Sequence, residues 1–472
     1  MPDTLADWLT YLESLHPKTI ALGLDRVAQV KQRLNLQPTF PVIVVGGTNG
    51  KGSVCAMLES ILHAAGYRVG CYTSPHLLAY NERVRIAKQA ASDAELCASF
   101  GKIEQERGDI PLTYFEFGTL AAMQCFISHQ VDVAVLEVGL GGRLDAVNVF
   151  DADCAVVASV DIDHIDYLGD TREQIAFEKA GIFRRDRVAI CADGDVPQTL
   201  RARAQEIGAR LWCIGSEFWF APHQGQWDYR GQSAARSALP YPALRGAFQL
   251  HNASAALAAL DALKGSLPVS MEAVRRGLVE VQLAGRFQFV PGRPQLILDV
   301  AHNPHAARSL AQNLADLPPA RTYAVFAMLK DKDMAGVARE LDAQIDVWLV
   351  AGIDAPRGAT AAELVQVLRQ IPVRGKVETC ASIADALHEA SNRAGENGDC
   401  ESANGSQRSS GEPVGLPLAD TLLRSSHLRE QSPDTPSRTG RLRAPCRECR
   451  IAAFGSFYTV AEVMRLRGLR GA

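Results

Sequence analysis

The sequence predicts an α/β protein built as two doubly wound parts, and three observations carry that expectation. A continuous apolar run, Val42-Ile43-Val44-Val45, leads into Gly46-Gly47-Thr48-Asn49-Gly50-Lys51-Gly52-Ser53 and then a helical repeat at Val54, Met57, Leu58, Ile61 and Leu62. Apolar runs recur at Val131–Val138 and Cys154–Val160, each ending in polar residues. A second alternation of strand-like and helix-like segments begins after Pro291-Gly292-Arg293-Pro294. Unbroken apolar runs fit parallel strands covered on both faces, and their alternation with helices fits a parallel sheet.

At 472 residues the chain exceeds one ordinary domain, and 47% hydrophobic with 22% charged residues describes a globular chain with a large core. A formal net charge of -4 gives no whole-molecule attraction to nucleic acid or anionic membrane, so neither is an expected partner. Met1–Leu12 lacks a basic stretch before an apolar core and no apolar run reaches transmembrane length, which makes the cytoplasm the expected location. The cysteines, 11 in all, are scattered without the spacing of a disulfide scaffold. Cys446 and Cys449 form a C-x-x-C, but no second pair lies at zinc-site spacing, so they read as ordinary thiols.

The glycine-rich turn between strand and helix is where backbone N–H groups and a helix N-terminus close around oxyanions. Lys51 is placed to reach terminal phosphates and Ser53 to approach magnesium, a geometry that suits ATP. Gly52 separates the two, so the loop misses the Walker A spelling by one residue.

Before this loop, Leu5–Leu15 and Leu24–Leu34 read as helices around His16-Pro17-Lys18-Thr19-Ile20-Ala21-Leu22-Gly23-Leu24, a leader able to wall a pocket. After the loop helix, a strand at Arg68–Thr73 delivers Ser74-Pro75-His76 to a carboxyl edge, where ligands gather in parallel α/β sheets. A Ser-Pro turn closed by local hydrogen bonding is the alternative reading of that stretch. Thr113–Thr119 opens a helix through Phe126 whose aromatics suit a flat ring or plain core. Glu137 ends its strand beside Gly139-Leu140-Gly141-Gly142-Arg143-Leu144-Asp145, and a carboxylate there is a candidate magnesium ligand because magnesium prefers oxygen donors.

The next strand delivers Asp161-Ile162-Asp163-His164-Ile165-Asp166 at the same edge. Polar groups repeated after successive strands favour a site over isolated caps or solvated charges. Lys179, in Phe177–Arg184, reads as a solvent-facing helix lysine. Short strands follow at Val188–Cys191 and Leu211–Ile214, then an alanine-rich helix, Ala253–Leu263, behind His251-Asn252.

Turn residues around Ala284-Gly285-Arg286-Phe287 and Pro291–Pro294 mark a boundary, giving a first domain at 1–285, a linker at 286–294 and a second domain at 295–472. Its strands are expected at Gln295–Val300, Tyr323–Met328, Val347–Val350 and Arg450–Phe454. Residues 395–449 break the pattern: Gly, Ser, Asn, Arg and Pro dominate and aromatics are absent, so a disordered insertion is expected, with at most a short helix at Leu416–Arg429.

Taken together, Gly47–Ser53, Thr73–His76, Thr113–Thr119, Glu137–Arg143, Asp163-His164, Glu178–Gly181 and Asp299-Val300-Ala301-His302-Asn303-Pro304 resemble the folylpolyglutamate synthase family of the Mur-ligase superfamily. The resemblance covers nearly the whole chain outside the insertion, and the Gly52 that spoils the Walker spelling is that family's own form. It implies a P-loop-type Mur-ligase central domain followed by a smaller Rossmann-like C-terminal α/β domain.

Carried over by resemblance, Thr48, Asn49, Gly50, Lys51, Gly52 and Ser53 hold ATP, with Asn252, Arg286, Asp299 and His302 as further nucleotide contacts. Ser74, Glu137 and His164 are the implied ligands of two magnesium ions. Ala21, Leu22, Gly23 and Leu24, Thr113, Tyr114, Phe115 and Glu116, and Leu144, Asp145 and Ala146 match dihydropteroate-binding segments, although Ala21 stands where the family often has an acid. Lys179 matches a lysine that the family carbamylates, and with Lys51 and His164 it completes the implied catalytic set.

The implied reaction is ATP-dependent ligation of L-glutamate to 7,8-dihydropteroate and to the γ-carboxylate of reduced folates through an acyl phosphate, by a monomer. The alternatives are a monofunctional folylpolyglutamate synthase, a Mur-type peptidoglycan ligase and a nucleotide-dependent switch. Leu22-Gly23-Leu24 and Thr113–Thr119 argue against the peptidoglycan ligase. A switch would bind ATP without glutamate-dependent phosphate release.

Overall fold

The computed structural model describes residues 2–16, 21–398 and 448–471. Its first sheet contains β1 (Val42–Gly46), β2 (Val69–Tyr72), β3 (Val84–Ile86), β4 (Gln89–Ala90), β5 (Val133–Glu137), β6 (Cys154–Val157), β7 (Val188–Cys191) and β8 (Arg210–Cys213), in the order β4-β3-β2-β5-β1-β6-β7-β8. All neighbours are parallel except the β2-β3-β4 hairpins at one edge.

β1 is central, and its unbroken apolar run has a direct cause: alternate side chains feed two separate cores. Val42 and Val44 pack on the face covered by helices Leu5–Ser14, Asp93–Arg107 and Tyr114–Ser128. Ile43 and Val45 pack on the face covered by Lys51–Ala64, Gln249–Ala262 and Met271–Glu280. The helix Lys51–Ala64 is buried from Ser53 to Leu62, and a Cβ at Gly277 would lie 2.5 Å from Ile61 Cα, so this helix is clamped from both sides. That rigidity fixes the loop at its N-terminus.

Small features not anticipated from the sequence include the β3–β4 hairpin, an antiparallel sheet of β9 (Trp219–Pro222), β10 (Gln226–Arg230) and β11 (Ala235–Pro240), and the later strand Lys376–Thr379. The last sheet contains β12 (Gln288–Val290), β13 (Gln295–Asp299), β14 (Arg321–Phe326), β15 (Val347–Val350), β16 (Lys376–Thr379) and β17 (Cys449–Phe454), in the order β12-β13-β17-β14-β15-β16. Only β12 runs antiparallel within it. The stretch 286–294, read from sequence as a linker, therefore contributes an edge strand to this sheet.

The helix Ile383–Gly398 continues past residue 395, and β17 begins at Cys449, so both ends expected for the insertion are ordered structure. The rest of that stretch, with the expected helix at 416–429 and Cys446, lies outside the described residues. Cys449 stands at the start of β17. No helix among the described residues is long and apolar enough to cross a membrane.

Candidate active site

The glycine loop lies where β1 stops and its helix starts, and its backbone needs the glycines. Gly50 caps the helix at φ 85°, and a Cβ there would meet Asn252 Oδ1 at 2.5 Å. At Gly47, with φ 143°, a Cβ would lie 3.1 Å from the backbone N atoms of Ala158 and Ser159. The loop is tied to the end of β6: Thr48 N donates to Ser159 O at 2.8 Å, Asn49 N to Ser159 Oγ at 3.0 Å and Thr48 Oγ1 to Asp161 O at 2.9 Å. Lys51 folds back on its own loop, donating to Gly47 O at 2.9 Å and Thr48 O at 3.1 Å. The ammonium is thus held without an anchoring carboxylate, as a cation waiting for phosphate must be.

The parallel register brings Glu137 beside Val45, one strand from the loop. Its Oε2 accepts from Ser74 N at 2.9 Å, which joins the turn after β2 to the end of β5. Burial raises the Glu137 carboxyl against the opposing pull of Lys51, and burial likewise lowers the Lys51 ammonium. A divalent cation would relieve this conflict on the carboxylate.

Beyond β6, burial pulls His164 down to about 4, leaving its imidazole neutral and able to donate a lone pair. Burial disfavours the Asp163 carboxylate, but the adjacent His302 imidazole and the Lys332 ammonium hold it well below the usual range. Ser74, Glu137 and His164 supply a hydroxyl, a carboxylate and a neutral imidazole, a donor set that fits magnesium carrying additional water and phosphate oxygens. Among the described residues, no cluster of three or more His, Cys, Asp and Glu side chains could by itself hold a metal ion.

Lys179 departs from the solvent-facing expectation. It is 2% exposed, because Gly142 packs so tightly on its helix that a Cβ there would approach Glu178 O at 2.9 Å and Lys179 O at 3.1 Å. Burial, with the nearby Lys51 charge, lowers its amine to about 7. An amine that is half unprotonated near neutral pH is a competent nucleophile for CO2.

The second sheet closes the site from the other side. Arg286 stacks over Phe457 at 5.1 Å, while Asp299 fixes the turn beside it by accepting from Phe287 N and Ala301 N, each at 2.8 Å. His302 Nδ1 lies 2.9 Å from Val300 O, and Asn303 exchanges amide hydrogen bonds of 3.2 Å with Asn49 across the gap. Thr48–Ser53, Ser74, Glu137, His164, Lys179, Asn252, Arg286, Asp299 and His302 all line one cavity of about 780 Å³.

The residues of the expected dihydropteroate-binding segments do not line that cavity. Gly23 N donates to Leu144 O at 3.3 Å, and Arg26 bridges Ala21 O at 2.8 Å and Glu116 Oε1 at 3.0 Å, so the three segments are knitted together. Thr113 and Glu116 form the capping box of the helix Tyr114–Ser128 and are buried. Asp145 is also buried, its carboxylate taken by Leu140 N at 2.8 Å and Val147 N at 3.0 Å, and burial raises it to about 7. Of the expected contact residues, Ala21, Leu22, Gly23, Leu24, Tyr114, Phe115 and Leu144 remain partly accessible, whereas Thr113, Glu116, Asp145 and Ala146 are buried.

Sequence reasoning missed Lys332, His305 and Arg83, all on the cavity wall, and the contact of Asn303 with Asn49. The signal for Lys332 was present: Lys330-Asp331-Lys332-Asp333 follows β14 at its carboxyl edge, as Asp161–His164 follows β6.

A glycine loop with its lysine, a strand-end carboxylate and an arginine facing them from a second sheet define an ATP-dependent ligase of the Mur type. The Mur ligase middle domain matches residues 45–260 and the Mur ligase glutamate ligase domain residues 285–403. The dihydrofolate synthase/folylpolyglutamate synthase of Escherichia coli K12 is 50% identical over 366 residues, covering 77% of this chain and 85% of its own. The solved structure of E. coli FolC in complex with DHPP and ADP superposes with a TM-score of 0.83 at 41% identity, covering 99% of both chains. A bifunctional folylpolyglutamate synthase/dihydrofolate synthase from Yersinia pestis, complexed with AMPPNP and a manganese ion, gives 0.82 at 41% identity, covering 99% of this chain and 100% of that one. The chain belongs to the dihydrofolate synthase/folylpolyglutamate synthase family of Mur ligases.

Proposed function

We propose that this protein ligates L-glutamate to 7,8-dihydropteroate and to the γ-carboxylate of reduced folates, acting in the cytoplasm as a monomer. The observation that carries the reading is the single cavity in which Lys51, Glu137 and Ser74 of the first sheet face Arg286, Asp299 and His302 of the second. Its residues suit activation of a carboxylate, a poor electrophile, by transfer of the ATP γ-phosphate to it. Lys51 and Arg286 offset charge on the transferring phosphoryl group, and the loop N–H groups hold the neighbouring phosphates. Ser74, Glu137 and His164 would hold magnesium, which when bound adds Lewis-acid stabilisation of the same charge.

Carbamylated Lys179 would add an anion to the wall that carries these ligands. Asn49 and Asn303 join the two sheets and Arg286 lies beside Gly52 of the loop, an arrangement that would keep water from the acyl phosphate until the glutamate amine displaces phosphate. The test offers ATP, magnesium and glutamate with dihydropteroate or tetrahydrofolate separately and follows product mass. Glutamylated product with both is expected, product with tetrahydrofolate alone would make the enzyme monofunctional, and product with neither would reject the reading. Lys51→Ala should lower catalytic efficiency by roughly 10²–10³ or more while leaving the fold intact.

A further inference from the structure

Arg83 ends the short 3-10 helix Tyr80–Arg83 and lines the cavity beside the Thr73–His76 turn. Its carbonyl accepts from Thr73 N at 2.9 Å and its Nε donates to His76 Nδ1 at 2.8 Å, one residue to either side of the Ser74-Pro75 pair. Its guanidinium lies 5.3 Å from the Tyr80 ring centroid and 5.4 Å from that of Tyr114. Among the described residues, no hydrogen bond or ion pair takes its Nη1 or Nη2.

Three other cations on the wall are paired with acids: Lys332 with Asp163, Arg357 with Asp331, Arg465 with Glu462. Arg83 is oriented by two aromatic faces and a histidine, with the open end of its fork left over. Such a fork matches a carboxylate in bidentate geometry. Tyr114, which it touches, belongs to a segment expected to hold the pteridine-bearing substrate.

We propose that Arg83 binds the α-carboxylate of the terminal glutamate of a reduced-folate acceptor, and so sets the preference for folate over dihydropteroate. The inference rests on the folate-ligase reading above. Dihydropteroate has one carboxylate, and that one must be phosphorylated. The terminal glutamate of a folate has two: when its γ-carboxylate meets the γ-phosphate, its α-carboxylate enters the same low-dielectric cavity and needs a counter-charge. Arg83 supplies it without bond making or breaking, which makes it a specificity determinant outside the phosphoryl-transfer step.

The test compares wild-type enzyme, Arg83→Gln and Arg83→Lys on tetrahydrofolate and on its analogue with the α-carboxylate converted to an amide, which leaves the γ-carboxylate free to react. Wild type should show a KM at least about tenfold higher for the amide, with kcat changed by less than about threefold. Arg83→Gln should show the raised KM for both compounds, erasing the discrimination, and Arg83→Lys should recover part of it. If Arg83→Gln keeps the full wild-type preference for the acid, or raises KM for free L-glutamate alone, the assignment is overturned. No ligation by wild-type enzyme with any acceptor would overturn the functional reading itself, a result distinct from either. Thermal melts of both variants separate a misfolded protein from a specific loss, and Arg83→Lys keeps the charge if Arg83→Gln fails to fold.

Discussion

Lys332 Nζ lies 2.8 Å from Asp163 Oδ1 and 3.3 Å from His164 Nε2, so a lysine from the second sheet neutralises an acid and abuts a candidate metal ligand at the edge of the first. Both members of the ion pair are largely buried, and Asp163 also accepts from Asn303 Nδ2 at 3.0 Å. Lys332→Met removes one charge-assisted contact, and a stability loss of about 2 kcal/mol is expected from the thermal melt. The same change removes a cation beside His164 and frees Asp163, so the magnesium concentration giving half-maximal activity should fall severalfold. A rise instead would mean that Lys332 supports the metal site.

Lys179 gives a pH dependence with a defined sign. In the unmodified protein burial lowers its amine to about 7, whereas in the unfolded chain it titrates near its ordinary value, so between those limits the unfolded state binds more protons. Stability contributed by this residue is therefore poorest below about pH 7 and recovers as pH rises above it. Carbamate formation needs the free amine and should follow the same direction, visible as labelled bicarbonate incorporated at pH 8 and lost at pH 6. Lys179→Met should raise the melting temperature of bicarbonate-free protein by several degrees and lower ligation by about a hundredfold.

Arg26 holds the leader segment to the helix Tyr114–Ser128 through Ala21 O and Glu116. Because Glu116 is 4% exposed in this pair, Arg26→Met strands a buried carboxylate and loosens the wall made by Leu22, Gly23 and Leu24. The KM for dihydropteroate should rise by about tenfold with the KM for ATP nearly unchanged. Steady-state kinetics with each substrate varied in turn would check this, and parallel rises in both constants would contradict it.

Arg286 lies beside Gly52 and over Phe457, with Glu137 and Asp299 as its charge neighbours. Arg286→Ala should raise the KM for ATP by about tenfold and increase glutamate-independent ATP hydrolysis, because closure over the reacting groups is weakened. Unchanged ATP affinity and unchanged hydrolysis would remove Arg286 from this role.

The phosphate loop was legible because β1 is buried on both faces, which leaves an unbroken apolar run ending in glycines. Glu137 and Asp161–His164 were legible for a related reason: strands of a parallel sheet deliver their following residues to one edge. Lys332 and Asn303 followed the same rule in the second sheet, but their meeting with Asp163 and Asn49 depends on how two sheets face each other, which local pattern does not encode. Lys179 was misread because helix periodicity reports the helix alone, whereas its burial arises from the close approach of Gly142. The antiparallel β9–β11 sheet escaped notice because β11 buries only Leu239 and so lacks a clean alternation, although Trp227 and Tyr229 of β10 do alternate. Asp145 shows the converse, a motif residue whose carboxylate is spent on capping amides.

The central claim is that the acceptor carboxylate is activated by the γ-phosphate of ATP in the cavity between the two sheets. It is tested most directly by supplying dihydropteroate with its carboxylate oxygens isotopically labelled and measuring where the label goes after ligation to glutamate. Transfer of one labelled oxygen to the released phosphate for each amide formed is predicted. Amide formed together with unlabelled phosphate, the displaced labelled oxygen appearing instead in water or in AMP, would contradict it.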